Sequence, residues 1–144
     1  MSFIKVIKKY ALYIAFIQAW VATLGSLYFS EIKHLEPCVL CWYQRILMFP
    51  IAIILAVAII RKDKNVAYYV LPLSILGALV AFYQYLLQMT PLSGVNPISC
   101  SSLEPCSAIQ VLYLGFITIP FLSMSAFIII GLIMLILVKY DPKK

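Results

Sequence analysis

Residues 38–45 of this chain read CVLCWYQR, and the rest of the fold is organised around this stretch. Two cysteines three positions apart stand at the start of a long apolar run, and Arg45 follows four positions after Cys41. Pro37 suits a first helical turn, so we predict a helix that begins there. Because residues three and four apart are neighbours on a helix, Cys38, Cys41 and Arg45 then share one face. The thiols lie at a helix N-terminus, where the helix dipole favours a thiolate.

The composition argues against a water-soluble domain. The chain has 144 residues, of which 65% are hydrophobic and only 11% are charged, and its mean hydropathy is +1.04. A soluble domain of this size would lack the polar surface to cover so much apolar residue. We therefore predict an integral membrane protein in contact with the lipid bilayer. The net charge of +6 is not arranged as a basic stripe with interleaved aromatic residues, so we expect no nucleic-acid partner.

Four apolar runs are long enough to cross a bilayer, which takes about 20 residues of helix. They cover residues 10–29, 38–60, 66–89 and 118–138. The first run is too long for the core of a signal peptide, and no small-residue cleavage site ends it. A polar stretch follows the third run, and we place a short interfacial helix near residues 107–114 in this second outer loop. The expected fold is a single-domain, all-α four-helix membrane bundle.

The basic residues indicate how the bundle is oriented. Nine of the eleven fall at the two termini and between the second and third spans, namely Lys5, Lys8, Lys9, Arg61, Lys62, Lys64, Lys139, Lys143 and Lys144. Because basic segments stay on the inner side of a membrane, we predict that both termini are cytoplasmic. The first cysteine pair and the second pair, Cys100 and Cys106, then both lie on the outer side of the plasma membrane. That environment is oxidising, and disulfides persist there.

The Cys-x-x-Cys pair permits three interpretations. A structural disulfide across so short a ring would constrain the unfolded chain little. A zinc site built from all four cysteines is geometrically possible, but five residues separate Cys100 from Cys106, outside the usual zinc-finger spacing. We favour redox chemistry and expect no metal site, because Arg45 lies in the same apolar run, where a cation is costly and marks a function. For Cys100 and Cys106 alone, a structural staple remains an alternative.

Three other side chains have both a functional and a structural interpretation. No Asp or Glu falls within a predicted span, so we expect Arg45 to contact a ligand or to reach toward the outer interface, and the two roles are compatible. Gln84 lies at a similar depth and either hydrogen-bonds a ligand or joins two helices through its amide. Trp42 belongs to an interfacial aromatic belt or flanks a planar ligand.

The stretch 38–45, at the start of the second of four spans, resembles the DsbB family of membrane thiol:quinone oxidoreductases. The likeness extends over nearly the whole chain, with one cysteine pair per outer loop and arginine four positions after the second cysteine. The short second loop is more similar to the compact, BdbC-like members from Gram-positive bacteria. The resemblance implies that a DsbA-like, thioredoxin-fold thiol oxidase on the outer side is re-oxidised. Its electrons would pass to the membrane quinone pool, either menaquinone or ubiquinone, and so support disulfide formation in exported proteins.

The resemblance also implies a role for each site residue. Two redox-active disulfides are expected, Cys38–Cys41 and Cys100–Cys106. The partner's thiolate would attack Cys100, and Cys106 would then exchange with Cys38. Cys41 would be the thiolate that meets the quinone, with Arg45 stabilising the negative charge beside it. The helical spacing independently favours Cys41 for the last step, since it lies nearer than Cys38 to Arg45 and to the membrane. Gln84 and Trp42 are the further candidates for quinone contact.

Two rival functions remain at this point. The chain is alternatively a non-enzymatic membrane assembly or channel subunit whose loops are stapled by disulfides. It is also comparable with vitamin K epoxide reductase-like enzymes, which have a helical bundle and cysteine pairs. The arginine spacing and the distribution of one cysteine pair per outer loop fit the DsbB family better.

Overall fold

The computed structural model describes residues 2–35, 37–63, 65–90 and 112–140. Most of them form four α-helices: α1 (Ser2–Glu31), α2 (Val39–Arg61), α3 (Val66–Met89) and α4 (Ile119–Tyr140). Each contains a segment long and apolar enough to cross a membrane. The prediction of an all-α, four-helix membrane fold is confirmed for these residues. α1 extends beyond the predicted apolar run at its N-terminal end and includes the basic residues there.

The helices are arranged in a ring. Each packs against its neighbour in the chain, and α1 also packs against α4. Residues 32–38 join α1 to α2, and residues 62–65 join α2 to α3. Connectors this short join antiparallel neighbours. The cysteine-bearing N-terminus of α2 therefore lies at the opposite end of the bundle from the 62–65 connector. Which end faces the cytoplasm stays a prediction.

The core depends on close packing between α3 and α4. Phe127 of α4 is 1% exposed, and its ring lies directly over Gly77 of α3, so that a methyl group added to the glycine would overlap the ring. Within a bilayer, helices associate by such close packing at small residues, because lipid is as apolar as the side chains. The outer faces of the helices carry large exposed apolar side chains, as a lipid-facing surface requires.

The predicted start of α2 at Pro37 is wrong, because the helix begins at Val39. Cys38 is the N-cap residue, with an extended backbone (φ −68°, ψ 169°), and its side chain makes no capping hydrogen bond. Its carbonyl accepts a hydrogen bond of 3.1 Å from the N–H of Trp42, which starts the helical ladder. The extended backbone at Cys38 leaves its side chain facing Cys41, three positions into the helix.

The predicted interfacial helix near residues 107–114 lies mostly outside the described residues. The part that is described leads into a tight turn, in which Tyr113 and Ile117 exchange two backbone hydrogen bonds of 2.9 Å. Leu114 and Gly115 have positive φ angles of 54° and 84° within this turn. α4 begins directly after it, and the carbonyl of Thr118 accepts from the N–H of Leu122 at 3.1 Å. The turn therefore places the start of α4 beside the cysteine-bearing end of α2.

Candidate functional site

The two thiols at the start of α2 are close enough to react with each other. Both cysteines are free, and the thiol of Cys38 donates a hydrogen bond to the sulfur of Cys41 across 3.3 Å. Cys38 is buried and Cys41 half-buried. The contact follows from the N-cap geometry, since an N-cap side chain faces the residue three positions later. The structure thus shows the reduced form of a pair that needs only a small movement to close a disulfide.

A buried amide on α3 contacts both thiols, and a second buried amide on α2 hydrogen-bonds to the first. The amide nitrogen of Gln84 donates to the sulfur of Cys38 at 3.2 Å and to the sulfur of Cys41 at 3.3 Å. Its oxygen accepts a hydrogen bond of 2.6 Å from the amide nitrogen of Gln44 on α2. Gln84 is only 2% exposed. A primary amide buried in an apolar bundle is costly unless both its ends are paired, as they are here.

Arg45 is held against α1. Its Nε donates to the hydroxyl of Ser26 and a terminal nitrogen donates to the carbonyl of the same residue, both at 2.8 Å. The guanidinium carbon also lies 5.5 Å from the centre of the Trp42 ring, within the range of a cation–π contact. Arg45 is 9% exposed. Within the described parts of the chain no carboxylate pairs with this cation, so its charge is available to a ligand.

A cavity of about 310 Å³ lies between α1, α2 and α4. On α2 it is lined by Cys41, Gln44 and Arg45, and on α1 its lining extends from Gln18 to Ser30. Apolar side chains form most of the remaining wall, among them Val21, Phe29, Leu35, Met48, Phe49 and Leu122. The volume falls within the range of small-molecule sites in proteins. Because Cys41 lines the cavity and Cys38 does not, a molecule bound there would meet only the second thiol of the pair.

The structure brings some of the predicted site residues together and separates others. Cys38 is the N-cap of α2, whereas Cys41 and Arg45 lie in its first two turns and both line the cavity. Trp42 is 53% exposed on the outside of the bundle, where it stacks near Arg45. Gln84 contacts the thiols and is not part of the cavity wall. Cys100 and Cys106 lie outside the described residues, so their position relative to Cys38 stays a prediction.

Three residues that contribute to the site were not predicted from the sequence. Gln44 stands within the quoted stretch, three positions after Cys41, and this spacing was the signal for its place on the same face. Ser26 and Thr23 lie in an apolar run whose pattern does not show which face meets α2. Thr23 lines the cavity, and its hydroxyl is buried with no hydrogen-bond partner among the described residues. Such an unpaired hydroxyl is a ready donor for a bound molecule.

Comparison with known proteins identifies relatives that cover most of the chain. It is 50% identical over 127 residues to disulfide bond formation protein C of Bacillus subtilis (strain 168), a match covering 88% of this chain and 91% of the relative. It is 47% identical over 133 residues to a probable disulfide formation protein of Coxiella burnetii (strain CbuK_Q154), covering 91% and 89%. A probable disulfide formation protein C 1 of Bacillus anthracis is 42% identical over 132 residues, covering 92% and 94%. No solved structure matches the chain.

The family comparison agrees with these relatives. The model of the family described as disulfide bond formation protein DsbB matches residues 8–137, which include all four cysteines and the whole of the cavity wall. The resemblance inferred from the stretch 38–45 is thereby confirmed. The chain belongs to the DsbB family of disulfide bond formation proteins, which are membrane oxidoreductases.

Proposed function

We propose that this protein is a thiol:quinone oxidoreductase. It re-oxidises a DsbA-like, thioredoxin-fold thiol oxidase on the outer side of the plasma membrane and passes the electrons to a membrane quinone. The observation that carries this proposal is the shared cavity of Cys41 and Arg45 inside the apolar bundle. A reactive thiol that faces a cavity within a membrane-spanning bundle needs an electron acceptor that is soluble in lipid. The family membership supports the thiol chemistry, and the cavity supports the nature of the acceptor.

The cavity suits a quinone ring on three counts. Its walls are largely apolar, as a planar hydrophobic ring requires. Arg45 offers a guanidinium, and Thr23 offers a hydroxyl that has no partner among the described residues; both can donate to carbonyl oxygens. When bound, a quinone would supply a two-electron, two-proton acceptor. Arg45, Thr23 and the apolar wall would hold it beside Cys41.

The two thiols of the pair are suited to different tasks. Cys38 is buried and donates the hydrogen bond that joins the two sulfurs, so it is the thiol that holds its proton. Cys41 accepts that hydrogen bond and faces the cavity, so it is the sulfur from which electrons leave. Arg45 lies one helical turn further along α2 and stabilises negative charge that develops at this end of the cavity. Closing the Cys38–Cys41 disulfide releases two electrons and two protons.

The electrons would enter through the second cysteine pair. The partner's thiolate attacks Cys100 of the Cys100–Cys106 disulfide and releases Cys106 as a thiolate. Cys106 then attacks Cys38 of the Cys38–Cys41 disulfide and releases Cys41. The second partner thiol displaces Cys100, so that one partner dithiol becomes a disulfide. The released Cys100 thiolate then attacks Cys106 of the Cys106–Cys38 disulfide, which re-forms Cys100–Cys106 and releases Cys38. Cys38 is buried, so its sulfur must become accessible before Cys106 can attack it.

Quinone-dependent oxidation of a thiol partner tests the proposal directly. Purified protein is mixed with reduced thioredoxin-fold oxidase and a soluble quinone analogue, and quinol formation is followed by absorbance alongside the loss of partner thiols. We expect one quinone to be consumed for each partner disulfide formed. Oxidation of the partner without quinone consumption, or dependence on a different acceptor, would contradict the proposed function.

A further inference from the structure

One primary amide contacts both sulfurs of the redox pair. The amide nitrogen of Gln84 carries two hydrogens, and it lies 3.2 Å from the sulfur of Cys38 and 3.3 Å from that of Cys41. One hydrogen can therefore point to each sulfur. Among uncharged side chains of this length, only glutamine carries two hydrogen-bond donors on one atom. The contact reaches from α3 to α2 across 46 and 43 positions of sequence.

Gln44 determines which end of the Gln84 amide faces the thiols. Its nitrogen donates to the oxygen of Gln84 at 2.6 Å, so the nitrogen end of Gln84 lies nearer to both sulfurs. The oxygen of Gln84 also accepts a longer hydrogen bond of 3.7 Å from the thiol of Cys41. The two amides are 6% and 2% exposed, and water therefore competes little for these donors. Hydrogen bonds in such a low-dielectric site are stronger than in water, and they strengthen further when the acceptor carries charge.

We propose that Gln84 is a positioning residue that stabilises the reduced form of the Cys38–Cys41 pair, and that Gln44 holds its amide in place. A thiol or thiolate sulfur accepts these hydrogen bonds better than a disulfide sulfur does, so the donors favour the dithiol. A pair whose reduced form is stabilised is a stronger oxidant. Gln84 thereby raises the oxidising strength of the disulfide. The inference rests on the proposed function only in taking Cys38 and Cys41 as the redox pair.

The test is the exchange equilibrium of full-length protein with a reference dithiol, dithiothreitol. Cys100 and Cys106 are replaced by serine in every variant, so that a single pair reacts. Two electrons and two protons pass from dithiothreitol, which becomes a cyclic disulfide, to the protein disulfide, which becomes two thiols. Gln84→Met keeps the length of the side chain and removes both donors. We expect the equilibrium constant for reduction of the protein to fall about tenfold, the effect of losing hydrogen bonds to a charged or polarised acceptor.

Two further substitutions separate positioning from packing. Gln84→Glu keeps the shape, but its carboxylate repels charge on sulfur, so the shift should exceed that of Gln84→Met and should grow with pH. Ser74→Ala is the matched control, because Ser74 is also a buried polar residue of α3 and its hydroxyl has no partner within the described residues. It lies ten positions away from Gln84, about 15 Å along the helix. This control should keep the parent equilibrium constant.

A folded Gln84→Met variant with the parent equilibrium constant would overturn the proposal, and so would equal shifts in Gln84→Met and Ser74→Ala. Gln44→Met gives a second route if Gln84→Met does not fold. It leaves the donors of Gln84 present but unanchored, and we expect a shift of about threefold in the same direction. An unchanged constant in this variant would also overturn the proposal. No quinone enters this measurement. If the protein failed to reduce quinone, the proposed function would be contradicted, but the exchange equilibrium with dithiothreitol could still be measured and interpreted.

Discussion

Arg45 donates two hydrogen bonds to Ser26, one to its hydroxyl and one to its carbonyl, and both are 2.8 Å long. The guanidinium is thereby fixed between α1 and α2 at the edge of the cavity that Cys41 also lines. Arginine is suited to this place because its planar fork can serve two acceptors on α1 and still present donors elsewhere. A residue that joins two helices and faces a cavity can transmit changes in α1 to the chemistry on α2.

Substitutions of Arg45 should act on the quinone step. Arg45→Met removes the charge at similar length, and we expect the quinone KM to rise at least about tenfold because a charge-assisted hydrogen bond is lost. Arg45→Lys keeps the charge but loses the fork, so its effect should be smaller. Quinone titrations at saturating thiol partner measure this. As a control, the rate at which the partner reduces the Cys100–Cys106 disulfide should be unchanged. If a folded Arg45→Met variant kept the parent quinone KM, Arg45 would serve only to join α1 and α2.

Ser26→Ala should weaken the same step less. It removes the hydroxyl acceptor and leaves the carbonyl, so the guanidinium keeps one of its two anchors. We expect a rise of about fivefold in quinone KM, with kcat nearly unchanged, since the loss of one side-chain hydrogen bond is worth about 1 kcal/mol. Ser74→Ala, which removes a buried hydroxyl that does not line the cavity, is the control. Equal effects of the two serine substitutions would argue against a role for the Ser26–Arg45 contact.

The two cysteine pairs should separate into two partial reactions. Cys41→Ser removes the thiol that faces the cavity, so quinone reduction should be abolished while the partner still forms a mixed disulfide at Cys100. Cys100→Ser should abolish the attack by the partner. In that variant, chemically reduced Cys38 and Cys41 should still be oxidised by quinone. Single-turnover mixing followed by thiol trapping measures the rate of each partial reaction. Loss of both halves in Cys100→Ser would contradict sequential exchange.

The sequence predicted the parts of this fold that depend on local pattern. Four apolar runs were sufficient to predict four helices, because a bilayer requires both length and apolarity. Helical spacing was sufficient to group Cys38, Cys41 and Arg45. The start of α2 was placed two residues too early, since Pro37 is compatible with either side of a helix boundary. Only the extended backbone at Cys38 settles it.

The contacts between helices were beyond such reasoning. Gln84 was considered as a ligand donor because of its depth, and its contacts with both thiols depend on how α3 is rotated against α2. The pairing of Arg45 with Ser26 depends in the same way on the rotation of α1. Hydropathy is nearly uniform around these helices, so it carries little information on which face is turned inward. Small residues and close packing decide the rotation instead.

The orientation of the bundle can be tested with a matched pair of exposed lysines. Lys33 lies in the connector before α2, and Lys62 lies in the connector after it; both side chains are exposed. In a protein whose four cysteines are replaced by serine, Lys33→Cys should react with a membrane-impermeant maleimide in intact cells. Lys62→Cys should react only after permeabilisation, because basic connectors stay inside. The reverse pattern would overturn the prediction that the cysteines of α2 face outward.

The contact between Gly77 and Phe127 should be the most sensitive point of helix packing. A methyl group at Gly77 would overlap the ring, which is buried and has little room to move. We therefore expect Gly77→Ala to lower the free energy of unfolding by about 1–3 kcal/mol, the usual cost of overpacking. Gly25→Ala is the control, since nothing lies within 4 Å of the added carbon, and alanine favours a helix. Thermal unfolding in detergent measures both.

Phe127→Leu should recover part of the lost stability in the Gly77→Ala background, because the smaller side chain leaves space for the methyl group. Equal stability of the two glycine variants would mean that α3 and α4 pack more loosely than this contact requires.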